Sequence, residues 1–385
     1  MFNHLAEYVA SPRYRAAGLT FFLMSVLFAF WVTRLPHVRD MLSLSEGEIG
    51  LALFFIPMGA LAAMSVSHGI NRRFGEGRVM TTGIILLGVA AIFPVVALSY
   101  ATLCLSLFFF GFFMGLTDIS MNAVVSMFEQ KDNVHIMSAS HGFFSLGGVI
   151  GAPLGSYISG TEISPLWQMV VTAALVGGIA LVFIFPHTQK FRDDHGDGNE
   201  SIFAMPRGIL VPLAVMAFCT MMGEGSVADW SAIYLKDVAG APDHLLGFGY
   251  AAFSLSMTLG RFSGDRLSKR FGTRLLLMTG LLTSIIGFLV TLPGDFYLSL
   301  LGFILIGAGF ASVIPELFRT AGKVEGYTSS YGIAAVASTG YTGFLLGPVL
   351  IGFIAEYHGL TTGFVFLILL ISAALVLARL RFPRE

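Results

Sequence analysis

Twelve predominantly apolar runs occupy this chain almost end to end: 16–35, 47–69, 79–99, 101–127, 135–159, 165–186, 207–233, 244–267, 273–292, 295–319, 328–356 and 360–380. About 20 such residues, coiled as an α-helix, cross the hydrocarbon of a bilayer. Within lipid, a helix satisfies every backbone N–H and C=O inside its own segment. Charged residues make up 12% of the 385, about half the share of a soluble domain. The chain is therefore read as an all-α polytopic membrane protein with twelve transmembrane helices. The opening MFNHLAEYVASPRYR is too polar for a signal peptide, so Phe21–Trp31 reads as part of a retained first span.

The few charges set the expected orientation. With the N-terminus in the cytoplasm, 19 of the 22 lysines and arginines fall on the cytoplasmic side, leaving Arg34, Arg39 and Lys236 outside. The group counted near the end of span 8 is Arg261, Arg266, Lys269, Arg270 and Arg274. Positive charge collects on the cytoplasmic side of membrane proteins, so both termini are placed there, and an even number of spans follows. A net charge of −1 gives no reason to expect a nucleic-acid partner. Cys104 and Cys219 each lie inside an apolar run and read as small buried hydrophobes. No disulfide framework or zinc pattern is present, and no cofactor is expected.

The longest polar stretch comes at mid-chain and divides six spans from six. The expected organisation is an N-terminal bundle over 1–186, a cytoplasmic linker over 187–206 and a C-terminal bundle over 207–385. Asp193, Asp194, His195 and Asp197 in the linker have metal-ligand chemistry but no spacing that holds a geometry, and read as a solvated loop. The halves echo each other. Phe74-Gly75 after span 2 and Phe271-Gly272 after span 8 lie 197 residues apart, each beside arginines. Gly151-Ala-Pro153 and Gly347-Pro348 stand at about the same interval. A duplicated six-helix unit with its site at the interface of the halves is a transporter plan.

These residues resemble the major facilitator superfamily over the whole chain. Gly260-Arg-Phe-Ser-Gly-Asp265-Arg-Leu-Ser-Lys-Arg-Phe-Gly-Thr-Arg274 is similar to its signature cytoplasmic loop. Asp118 and Asn122, four residues apart in span 4, resemble the proton-linked acid and asparagine of fucose permease. That family's first-span carboxylate has no counterpart here, and Arg34 stands where it would lie. Trp31-Val-Thr-Arg34, His141-Gly-Phe-Phe-Ser-Leu-Gly147, Glu224-Gly-Ser-Val-Ala-Asp229-Trp230 and Gly347-Pro348 are similar to small inner-membrane members of the YbjJ type. The resemblance implies two pseudo-symmetric six-helix bundles, alternating access, and a bacterial inner-membrane location.

Asp118 is the residue that most needs explaining. A carboxylate at mid-membrane costs about 2.5–3.5 kcal/mol on insertion scales, and such residues are by default functional candidates. Asp118 is read as the main proton-coupling residue, with Asn122 and His141 as hydrogen-bonding neighbours. A structural polar pair of Asp118 and His141 locking spans 4 and 5 is the competing reading. Glu224, near the middle of span 7, is the second proton-coupling candidate, or else a bond to a neighbouring helix. Subtracting the repeat interval from Asp229 gives a position beside Arg34, so these two are expected to pair as an outer gate. Arg34 equally fits an anion clamp or a side chain reaching the headgroups. Asp265 with Arg266, Arg270 and Arg274 would be the inner gate. Glu316, the rough repeat partner of Asp118, is assigned no role. Trp31, Trp230 and Tyr341, on helices that line the central cavity in the resembled fold, are substrate-binding candidates, while the tryptophans equally fit interfacial anchors.

Two transport readings stay open: proton-coupled symport of a small polar solute such as a sugar, and proton-driven export of amphiphilic compounds. The expected partners are a small-molecule substrate, protons and the lipid bilayer, with the chain acting as a monomer. An enzyme is not expected, because no His-Glu-x-x-His or Gly-x-Ser-x-Gly is present.

Overall fold

The computed structural model describes residues 8, 10–132, 134, 136–189, 191 and 205–381. Among them the regular structure is all helical, in twelve long segments. Ten are long and apolar enough to cross a membrane: Pro12–Leu42 (span 1), Glu46–Phe74 (2), Glu76–Val96 (3), Tyr100–Asp132 (4), Pro165–Thr188 (6), Leu210–Asp237 (7), Thr273–Thr291 (9), Phe296–Ala321 (10), Tyr331–His358 (11) and Leu360–Leu380 (12). The other two, Met137–Ser159 (span 5) and Phe248–Phe271 (span 8), are 23 and 24 residues long. Span 8 carries Arg261, Arg266, Lys269 and Arg270, which lower its hydropathy. The acidic residues and His195 of the mid-chain loop lie outside the described residues.

The chain forms two compact units. One comprises Met1–Leu44 and Ala52–Asp197, the other Ser45–Leu51 and Gly198–Glu385. In the first, span 1 packs chiefly on span 5, span 2 on span 4, and span 3 on spans 4 and 6. In the second, span 7 packs on span 11, span 8 on span 10, and span 9 on spans 10 and 12. The short stretch Ser45–Leu51 belongs to the second unit because Gly50 lies against the Pro348 carbonyl and Gly352.

The repeat is written in the helix contacts. A Cβ at Gly147 would strike the Phe22 carbonyl oxygen, and one at Gly343 would strike that of Phe218. Both members of the second contact are 196 residues beyond the first. Likewise Gly111 abuts the Ile56 carbonyl and Gly307 that of Phe253. Lipid is as apolar as leucine, so membrane helices associate through close packing, which small residues at the crossing permit. Each half uses the same crossings, with the register repeated to within one residue.

Gly75 and Gly272 mark the matching turns. Each closes one helix and opens the next, with φ 84° and ψ 139° at Gly75 and φ 82° and ψ 152° at Gly272. That region of backbone space is essentially glycine-only. Each N–H donates to the carbonyl four residues back, Asn71 at 2.7 Å and Ser268 at 2.8 Å.

Candidate functional site

Span 4 is 33 residues long without a break. At 1.5 Å per residue, Asp118 lies about 27 Å from its first residue and about 21 Å from its last. It is half-buried. The Asn122 amide donates to the Asp118 backbone carbonyl at 2.8 Å and to its Oδ1 at 3.2 Å. One helical turn separates them, so the amide reaches back along the same face. Among the described residues, no lysine, arginine or histidine forms an ion pair with Asp118.

His141 makes no hydrogen bond or ion pair with Asp118 among the described residues. It is exposed and sets its ring edge-on to Phe21, 5.0 Å between centroids. The expected hydrogen bond and the competing polar lock both fail for one reason. Span 5 packs chiefly against span 1 and only lightly against span 4.

Arg34 is buried on span 1, and its Nε donates to Oε1 of Gln168 on span 6. Gln168 Nε2 in turn lies 3.4 Å from the Gly155 carbonyl of span 5. The arginine is thus buried and tied to span 6 of its own unit. Gln168 was visible in the sequence as a lone amide in an apolar span. Asp229, in the other unit, is also buried.

The second unit holds an ionic cluster that the charge pattern concealed. Arg261, counted among the cytoplasmic charges, is the fourteenth residue of the 24 in span 8. Its Nη2 stands 3.8 Å from Oε2 of Glu224, the fifteenth residue of the 28 in span 7. Both are at mid-helix, so Arg261 does not belong to the loop. Tyr250 hydrogen-bonds with Ser254 one turn on and lies within electrostatic reach of both Asp229 and Arg261. These side chains share one face of span 8 at intervals of four and seven.

Among the described residues, the arginines of the proposed inner cluster have separate surroundings. Arg274 Nη2 donates to the Arg379 carbonyl at 2.6 Å, which joins span 9 to span 12. Arg270 stacks over Phe271, 5.1 Å from the ring centroid, and Arg266 is exposed. The side chain of Asp265 lies outside the described residues. Nearby, buried Glu316 pairs with Arg319 at 2.7 Å, and Arg319 also donates to Ser268 at 3.1 Å. Trp31 and Trp230 are fully buried, with indole N–H groups that make no hydrogen bond among the described residues. They are therefore not interfacial anchors. Tyr341 is 61% exposed. No group of three or more His, Cys, Asp or Glu among the described residues is arranged to hold a metal ion.

Comparison with known proteins decides the family. The Major Facilitator Superfamily model matches residues 16–242 and again 213–385. The chain belongs to the major facilitator superfamily. It is a multi-pass secondary transporter and not an enzyme. An uncharacterized MFS-type transporter of Yersinia pestis is 31% identical over 360 residues, covering 92% of this chain and 93% of that one. The membrane protein MosC of Rhizobium meliloti is 31% identical over 366 residues, covering 92% and 86%. Among solved structures, a bacterial homolog of the human lysosomal transporter Spinster superposes with a TM-score of 0.77 at 14% identity, covering 97% of each chain. A D-xylose-proton symporter does so with a TM-score of 0.76 at 14% identity, covering 98% of each chain. At that identity the likeness is one of fold. As in those structures, this transporter is built from two pseudo-symmetric six-helix bundles.

Proposed function

We propose that this transporter is a proton-coupled symporter of a small polar solute, working by alternating access, with Asp118 as the residue that binds and releases the proton. One observation carries the reading. Asp118 sits deep within an unbroken membrane helix, and its only hydrogen-bond partner among the described residues is a neutral amide. An isolated carboxylate removed from water is costly, and proton binding removes that charge. Asn122 accommodates either state, because its amide group donates to a carboxylate and its carbonyl accepts from a carboxylic acid.

Glu224 is proposed as a second titrating group, and the proposed location is the bacterial inner membrane with both termini cytoplasmic. The bacterial relatives support the former part and the distribution of arginine and lysine the latter. The fucose-permease likeness rests on the Asp118–Asn122 pair alone. Export of amphiphilic compounds is the alternative reading, and reversal of the coupled flux distinguishes it.

Proteoliposomes test this directly. With the purified chain reconstituted, an inwardly directed proton gradient is expected to drive accumulation from a pool of labelled polar solutes. Sodium at equal pH is expected to drive none. Extrusion driven by the same proton gradient would replace symport with export.

A further inference from the structure

Arg261 stands at mid-helix in span 8 and has no part in the proposed proton step at Asp118. We propose that Arg261, with Glu224 as its resting counter-ion, binds the carboxylate of the transported solute, so that the substrate is a hydroxylated organic anion and not a neutral sugar. The inference rests on the transport reading above and specifies its substrate class.

The geometry of the pair supports exchange. A guanidinium offers five donors in a planar fork that matches a carboxylate through two parallel hydrogen bonds. Arg261 uses none of them in this way. Among the described residues its one polar contact is Glu224 Oε2 at 3.8 Å, too far for a hydrogen bond. The other carboxylate oxygen, Oε1, is buried with no hydrogen-bond partner among the described residues. The same unit shows what a closed pair looks like, because Arg319 and Glu316 meet at 2.7 Å. Among the described residues, the Arg261–Glu224 contact leaves donor and acceptor capacity unspent on both sides.

The Arg261 side chain is also 43% exposed, against 15% for Glu224. Leu255, Leu259, Phe262 and Arg266 form the exposed stripe of span 8. At 100° per residue, Arg261 lies about 130° around the helix from the centre of that stripe. Its free donors therefore open on a different side from the apolar stripe. On that side stand Tyr250 and Ser254, with Asp229 in electrostatic reach of Tyr250. A phenol, an alcohol and an acid beside a cation with spare donors suit a solute that carries one carboxylate and several hydroxyls.

A purely structural pair and an exchangeable one respond oppositely to loss of the acid. If Glu224 occupies Arg261 about nine-tenths of the time, removing its charge frees the guanidinium and tightens an external carboxylate about tenfold. The test uses the full-length chain in detergent, with thermal stabilisation and calorimetry. The probes are matched pairs, hexonates and hexuronates against their parent hexoses. At least one acid is expected to bind where its parent hexose does not. Glu224→Gln should tighten it about tenfold, and Arg261→Gln should abolish it. Where Arg261→Gln does not fold, the Glu224→Gln titration decides alone. Binding of neutral hexoses only, no binding by any acid, or an affinity that Glu224→Gln leaves unchanged or weakens would overturn the proposal. Transport is scored separately. Uptake of a neutral solute that is indifferent to Arg261→Gln removes the anion site and leaves the symporter. An acid that binds through Arg261 but never crosses a liposome removes the symporter and leaves the site.

Discussion

Substituting Gly111 with alanine is expected to destabilise the protein by about 2 kcal/mol, against the usual gain from replacing a helical glycine. The added Cβ would meet the Ile56 carbonyl group, with its carbon at 2.6 Å and the Ile56 Cα at 2.7 Å. These are backbone atoms of span 2, so no rotamer change relieves the contact, and the helices must part. Overpacking of this kind costs about 1–3 kcal/mol, and a backbone obstacle places the cost at the upper end. The intrinsic preference for alanine over glycine in a helix returns about 1 kcal/mol. The control is Gly178, where a Cβ has nothing within 4 Å, so Gly178→Ala should gain about 1 kcal/mol. For a unit of this size, 1 kcal/mol moves the Tm by about 2–4 °C. Gly111→Ala should therefore lower the Tm of the purified protein by about 4–8 °C, while Gly178→Ala raises it by about 2–4 °C. Gly307, which meets the Phe253 carbonyl in the repeat-related contact, should behave like Gly111. The packing argument would be refuted by equal shifts at Gly111 and Gly178. A harmless Gly307→Ala beside a harmful Gly111→Ala would refute the equivalence of the two crossings.

Glu129 Oε1 accepts the backbone N–H groups of Ile136 at 2.6 Å and Met137 at 2.8 Å, the open donors at the start of span 5. Glu129→Ala is expected to cost about 1–3 kcal/mol, and hydrogen exchange should show faster fraying confined to the first turn of span 5. Gln168→Leu removes one acceptor from the Arg34 guanidinium and is expected to cost about 1.5–3 kcal/mol, read as a Tm loss that Arg34→Leu in the same chain partly restores. If Arg34 and Asp229 act together as a gate, Arg34→Ala and Asp229→Ala should each slow transport, with the double variant no worse than the more damaged single one. Additive losses would discard the gate.

The apolar runs made the spans legible, because lipid leaves a chain few alternatives. Span 8 is where the run reading strained. Its arginines look like one cytoplasmic charge group, but the helix begins at Phe248, four residues later than the run suggests, and ends at Phe271. That register carries Arg261 to mid-helix while Lys269 and Arg270 stay in the last turn. Tyr250, Ser254 and Arg261, spaced by four and seven, were the available signal, and it was masked by the likeness of the following residues to a loop. Asp118 with Asn122 was legible because both sit on one helix, where spacing determines contact. His141 was misplaced because its contacts depend on which helix lies beside span 5, and no local pattern records that. Arg34 with Gln168 was missed for the same reason, since 134 residues separate them. The buried tryptophans show the limit of residue type as a guide: indole chemistry suits a binding wall or an interface, and burial sets Trp31 and Trp230 apart from the interface.

The central claim is that Asp118 carries the coupled proton. Asparagine at this position is close in shape to the protonated acid and cannot release a proton. Asp118→Asn, reconstituted beside the unmodified chain and given a radiolabelled transported solute, should therefore exchange that solute across the membrane at a comparable rate with no gradient. It should show no accumulation when an inward proton gradient is imposed. Gradient-driven accumulation undiminished in Asp118→Asn would contradict the assignment.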